Sequence, residues 1–168
     1  MLDGIHKIHL IGIGGSGMRA IANILIQKGY DVSGSDVADS AVIEKFRNMG
    51  ATVHIGHNKD YVKGVDAVVR STAIREDNPE IVAAKEQVIT ILHRSDIVKA
   101  VLDVTDGIAV AGAHGKTSTT SMIGQILVEA EADPTVIIGG EVDYLKGSSC
   151  LGKGHFSVVE ADESDGSF

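Results

Sequence analysis

"IHLIGIGGSGM", residues 8 to 18, is a short and mostly apolar run that breaks into a glycine-rich turn and then into a helical pattern. Gly12, Gly14 and Gly17 have the spacing G-x-G-x-x-G, directly after a strand-like segment and at the start of a helix. That order suits a backbone that turns tightly and approaches a pyrophosphate, with Gly15, Ser16 and Met18 completing the turn and the first helical residues. The helix N-terminus beyond it supplies free N–H groups and the positive end of a dipole. Asp36 ends the next apolar segment, where an acidic residue takes a ribose hydroxyl about 20 residues after the motif. Two readings of these residues stay open: a dinucleotide site for NAD, or a tight turn with no ligand.

Outward from this turn the chain alternates short apolar runs with amphipathic stretches. Met18, Ile21, Ala22 and Leu25 share one helical face; "DVSGSD", "TVHIG", "AVVRS" and "VITIL" read as strands, with helices near 40–48 and 78–86 between them. Apolar strands separated by helices predict a doubly wound parallel sheet, hence a Rossmann-like α/β domain. Ile97, Val98, Val101 and Leu102 form the face of a last helix that ends near "DVTDG", the expected boundary.

Composition narrows the function. The 168 residues are 43% hydrophobic and 23% charged, as in an ordinary globular protein of one or two domains. A net charge of −8 argues against binding along a nucleic-acid backbone, although a single nucleotide needs only local N–H groups and one lysine. No stretch reaches the roughly 20 apolar residues of a membrane span, and "MLDGIHKIHL" lacks the form of a signal peptide, so a cytoplasmic location is expected. Cys150 is the one cysteine, which excludes an internal disulfide and reads as a small buried hydrophobe.

At Gly107 the rhythm restarts. "IAVAG" reads as a buried strand, "GAHGKTS" as a phosphate loop, and Met122, Ile123, Ile126, Leu127 and Ala130 as the face of the next helix. The loop has the Gly-Lys-Thr ending of G-x-x-x-x-G-K-[ST], but Val110 occupies the position of the first glycine. In this context backbone N–H groups would cradle phosphate, Lys116 would bridge its outer oxygens, and the Thr117 hydroxyl would reach Mg²⁺. The alternative is a plain helix N-cap made by Thr117 or Ser118. "PTVIIGG" and "SVVEA" add strands, about three in all, so the second unit reads as the incomplete start of a P-loop-type α/β domain and the chain as a piece of something longer. Glu160, Asp162, Glu163 and Asp165 cluster at the end of the last strand, where ligands of open α/β sheets collect.

Together "IHLIGIGGSGM", "VSGSD", "NPEIVAA", "GAHGKTSTTSMI", "VIIGG" and "VVEADESDGSF" resemble the Mur ligases of peptidoglycan synthesis, in the same order and over nearly the whole chain. The resemblance implies an ATP-dependent carboxylate-amine ligase with UDP-N-acetylmuramate and L-alanine as partners and no nucleic acid or membrane. A relative that reattaches a recycled tripeptide, and an NAD(P)-binding module, are the alternatives. Residues 1–104 would be the UDP-sugar domain and 105–168 the opening part of the ATPase domain, with a third domain absent.

Residue by residue, the turn Gly12, Gly14, Gly15, Ser16, Gly17 and Met18 would face the UDP diphosphate. Asp36, Ser71, Thr72, Ala73 and Arg94 become candidates for uridine or sugar contacts. The family's shorter phosphate loop, G-T-x-G-K-[TS], matches Gly112, Ala113, His114, Gly115, Lys116 and Thr117, followed by Ser118. Lys116 would be catalytic, binding ATP phosphates, with Thr117 and Glu160 as Mg²⁺ ligands. A metal-site histidine and the alanine-binding residues would lie beyond Phe168, so this stretch would not assemble the whole active site. Ala113 replaces the family's usual threonine, and Arg70 its usual small apolar residue; the sequence offers no account of the latter.

Overall fold

The structure is a computed structural model in which residues 2–161 are described. These gather into two compact units, Leu2–Arg94 and the chain from Ser95 onward. Asp162, Glu163 and Asp165 lie outside the described residues.

The first unit is a five-stranded sheet of order β3-β2-β1-β4-β5, every pairing parallel. Its elements are β1 (Lys7–Ile11), α1 (Ser16–Gln27), β2 (Asp31–Asp36), α2 (Ala41–Asn48), β3 (Thr52–Ile55), a 3₁₀ turn (Lys59–Val62), β4 (Ala67–Arg70), α3 (Pro79–Glu86) and β5 (Thr90–His93). The doubly wound parallel reading holds. Chain order runs outward from β1 to β3 and then returns to β4 on the other side of β1. The ends of β1 and β4 therefore form the crevice where such sheets bind ligands.

Local signals explain the elements. Central β1 is buried at Ile8, His9, Leu10 and Ile11 because strands flank it on both sides. α1 buries Met18, Ile21, Ala22 and Leu25 as expected, with Ala20 and Ile24 added. Ser40 caps α2 by accepting from the Ile43 N–H, and Asn78 caps α3 by accepting from the Glu80 N–H, with Pro79 in the first turn. The strand expected from Val88 starts later, at Thr90, because Val88 ends the α3 turn at φ 57°, with its side chain 91% exposed.

The second unit contains most of α4 (Arg94–Leu102), then β6 (Asp106–Val110), α5 (Lys116–Glu129), β7 (Thr135–Val142), a 3₁₀ turn (Asp143–Leu145), β8 (Gly147–Cys150) and β9 (Phe156–Glu160). Its sheet has order β6-β9-β7-β8, with β8 antiparallel to β7. Three expectations change. A fourth strand is present: "GSSC" has no apolar run to announce it, yet it buries Ser148 and Ser149 in pairing with β7. β6 is an edge strand and half-exposed, where a buried strand was expected. α5 turns Thr120 and Gly124 inward and leaves Met122 and Ile126 exposed. Gly124 permits this, since a Cβ there would press against Val136 at 3.2 Å and against Tyr144.

Candidate functional site

In the first unit, β1 delivers the chain into the turn at Gly12, whose φ of +73° suits glycine. Most N–H groups of the turn are already bonded. Gly12 and Ile13 donate to the Ser35 carbonyl at 2.8 and 3.1 Å, Gly14 to Asp36 Oδ2 at 2.8 Å, and Gly15 to the Gly12 carbonyl at 3.0 Å. α1 then begins at Gly15 without a side-chain cap, and among the described residues nothing accepts from the N–H groups of Ser16 and Gly17. Two open donors thus stand at a helix N-terminus.

Arg94 crosses this same place: a Cβ on Gly17 would collide with its guanidinium Nη1. The turn after β4 also arrives here, with the Ile74 side chain 3.5 Å from where a Gly12 Cβ would stand and the Ile74 N–H donating to the Ser71 carbonyl at 3.1 Å. Thr72 and Ala73 are exposed at its tip. Met18 is 3% exposed, so its side chain belongs to the core and only its backbone reaches the turn. Asp36 directs a carboxylate oxygen to the turn itself. Arg70, unexplained by sequence, pairs with Glu76 at 2.6 Å, and Glu76 also pairs with Lys85.

In the second unit, Gly112 (φ +147°) and Gly115 (φ +75°) bend the loop between β6 and α5. Gly115 is an uncapped left-handed N-cap, and among the described residues nothing accepts from the N–H groups of Ala113, His114, Gly115, Lys116, Thr117 or Ser118. Lys116 folds back, its Nζ donating to the Gly112 carbonyl at 2.7 Å. Glu160, opposite Val110 at the end of β9, accepts from the Thr117 hydroxyl at 3.0 and 3.1 Å and from the Gly139 N–H at 2.7 Å. A hydroxyl and a carboxylate in contact beside open phosphate-type donors are hard oxygen ligands of the kind Mg²⁺ accepts alongside water and phosphate. Among the described residues no three His, Cys, Asp or Glu side chains cluster as a protein-only metal cage.

Sequence reasoning missed a buried polar cluster under the first turn. His9, Ser35 and Glu80 are all fully buried and joined by hydrogen bonds, with Ser33 and His57 at its margin. The one signal was a histidine inside the apolar run "KIHLI". Burial raises the Glu80 carboxyl most, but hydrogen bonds from His9 and Ser35, the His9 charge and the Asn58 N–H together outweigh it and leave Glu80 below its ordinary value.

Both units are strand-turn-helix arrangements of an α/β protein that leave N–H groups uncapped at a helix start, an arrangement suited to anions. The family model described as "Mur ligase family, catalytic domain" matches residues 7–104, and the chain belongs to the Mur ligase family. A UDP-N-acetylmuramate–L-alanine ligase of a Sulfurihydrogenibium species is 48% identical over 98% of this chain and 36% of its own length. Among solved structures, the UDP-N-acetylmuramate-alanine ligase of Thermotoga maritima is 36% identical with a TM-score of 0.87, over 94% of this chain and 37% of that one. The UDP-N-acetylmuramate:L-alanyl-γ-D-glutamyl-meso-diaminopimelate ligase of Neisseria has the same TM-score of 0.87 at 27% identity, over 95% of this chain and 53% of that one. The chain spans about a third of the length of the curated relatives it matches.

Proposed function

We propose that this chain is part of a cytoplasmic ATP-dependent ligase that joins L-alanine to the carboxylate of UDP-N-acetylmuramate in peptidoglycan synthesis. Residues 1–104 are the UDP-sugar domain and 105–168 the beginning of the ATP-binding domain. The observation that carries the reading is Lys116, Thr117 and Glu160 gathered at one loop in a member of this family.

In the reaction a muramyl carboxylate oxygen attacks the γ-phosphorus of ATP, forming an acyl phosphate and releasing ADP. The alanine amine then attacks the acyl carbon and expels phosphate, leaving an amide. Open N–H groups from Ala113 to Ser118 bind the ATP phosphates, and Lys116 leaves the Gly112 carbonyl to stabilise charge that moves onto them. Thr117 and Glu160 would hold Mg²⁺, which supplies further neutralisation of phosphate charge. In the first unit the Ser16 and Gly17 N–H groups and Arg94 bind the UDP diphosphate, while Asp36 and the turn from Ser71 border the nucleoside.

Two measurements test this. Calorimetric titration of the chain with UDP-N-acetylmuramate beside NADH should show binding of the sugar nucleotide alone; binding of NADH alone returns the first turn to the dinucleotide reading. In a full-length protein carrying this chain, phosphate release should depend on L-alanine. Dependence on the L-alanyl-γ-D-glutamyl-meso-diaminopimelate tripeptide instead would assign the recycling reaction named for the Neisseria relative.

A further inference from the structure

Glu80 is a fully buried carboxylate in the first turn of α3, and every direction around it is taken. Oε2 accepts from the Ser35 hydroxyl at 2.7 Å and faces His9 Nε2 at 3.2 Å; Oε1 faces His57 Nδ1 at 3.1 Å and accepts from the Asn58 N–H at 3.2 Å. A carboxylate only accepts, so His9 Nε2 and His57 Nδ1 carry the protons that face it, and His9 Nδ1 shares a further hydrogen bond with the Ser33 hydroxyl at 2.8 Å. One side chain thereby ties β1, the end of β2 and the segment after β3 to the start of α3. Side chains of β1 alternate sheet faces, so His9, level with Val68 on β4, interrupts an apolar layer that Ile11, Val68 and Ile81 would otherwise allow to be dry.

What Glu80 holds is also what holds the glycine turn. The Ser35 carbonyl accepts from both Gly12 and Ile13 at 2.8 and 3.1 Å, and the next residue, Asp36, accepts from Gly14 at 2.8 Å. Ser35 has its hydroxyl on Glu80 and its carbonyl on the turn, so any shift of the carboxylate moves the frame on which the turn rests. We propose that Glu80 is the positioning residue of the glycine turn, acting through Ser35, and that it thereby sets the diphosphate-binding geometry of the first unit. The ligand in this statement rests on the function proposed above; the effect on the turn does not.

The test is amide hydrogen exchange followed by NMR on the chain itself, for wild type, Glu80→Gln, Ser35→Ala and the double variant. Glu80→Gln should speed exchange at Gly12 and Ile13 about tenfold, the scale of one hydrogen bond to a charged group, with amides of α2 unchanged. Ser35→Ala should do the same, and the double variant should add nothing further. UDP-N-acetylmuramate affinity should fall about tenfold in each, with exchange from Gly112 to Thr117 unaltered. Unchanged exchange at Gly12 and Ile13 overturns the proposal, as does a uniform acceleration across Leu2–Arg94, which marks mere destabilisation. If Glu80→Gln does not fold, the milder Ser35→Ala decides by the same criteria. If the exchange pattern appears but wild type binds no UDP-sugar, the positioning role stands and the functional reading fails.

Discussion

The two glycine turns begin alike, each after a parallel strand and each opening an uncapped helix, but they spend their hydrogen-bond donors differently. In the first, Gly12, Ile13, Gly14 and Gly15 all bond within the protein, and among the described residues nothing accepts from Ser16 and Gly17 beside Arg94. In the second, no described residue accepts from the donors of Ala113 to Ser118, Lys116 rests on the Gly112 carbonyl, and Thr117 rests on Glu160. The first turn is a finished frame, most of its donors already bonded within the protein. The second keeps its lysine and threonine side chains on internal bonds. A preorganised frame suits a substrate that is only held, and an exchanging set of contacts suits phosphates whose charge changes during reaction.

The largest effect should come from the second turn. Lys116→Ala in a full-length protein should lower kcat by about 10²–10³, the scale for removing one group that stabilises transition-state charge. Activity within about threefold of wild type would remove Lys116 from the proposed chemistry. Arg94→Ala breaks the first turn alone: UDP-N-acetylmuramate binding, read by calorimetry, should weaken about ten- to hundredfold, as for a lost charge-assisted bond, with ATP binding unchanged. Equal weakening of both ligands would mean that the two turns do not act separately.

Acid should affect the first unit through Glu80. Its carboxyl lies below the ordinary 4.5 when folded, so the folded state binds fewer protons than the unfolded one around that pH. Its stabilising contribution is therefore complete above about pH 4.5 and is lost as pH falls through the lower folded value. His9 and His57 are the titratable groups that face it, and both favour the ionised form when protonated. Chemical denaturation across pH 3–6 should show this slope, and Glu80→Gln should flatten it. The smallest effect is a control. Val88→Gly relieves a β-branched residue at φ 57° and should stabilise by about 1 kcal/mol in denaturant melts, leaving both ligands unaffected.

Much of this was legible in the residues. Apolar runs at strand spacing, Ser40 and Asn78 before helices, and glycines followed by helical periodicity mark local structure, because caps and tight turns depend on near neighbours. β8 was not legible, since "GSSC" is stabilised by its pairing with β7 and carries no apolar pattern. Nor was the inward face of α5, where small Gly124 allows close approach to β7 and the larger Met122 and Ile126 turn outward.

By itself the sequence determined the alternation of strands and helices, the two phosphate-type turns and the family, because each is written in residues close along the chain. Only the tertiary structure decided that Thr117 meets Glu160 and that Arg94 crosses Gly17. It also decided that Glu80 reaches Ser35 from 45 residues away. Such contacts arise from the order in which strands assemble, and that order is set by packing and backbone pairing across the sheet, which no local pattern contains.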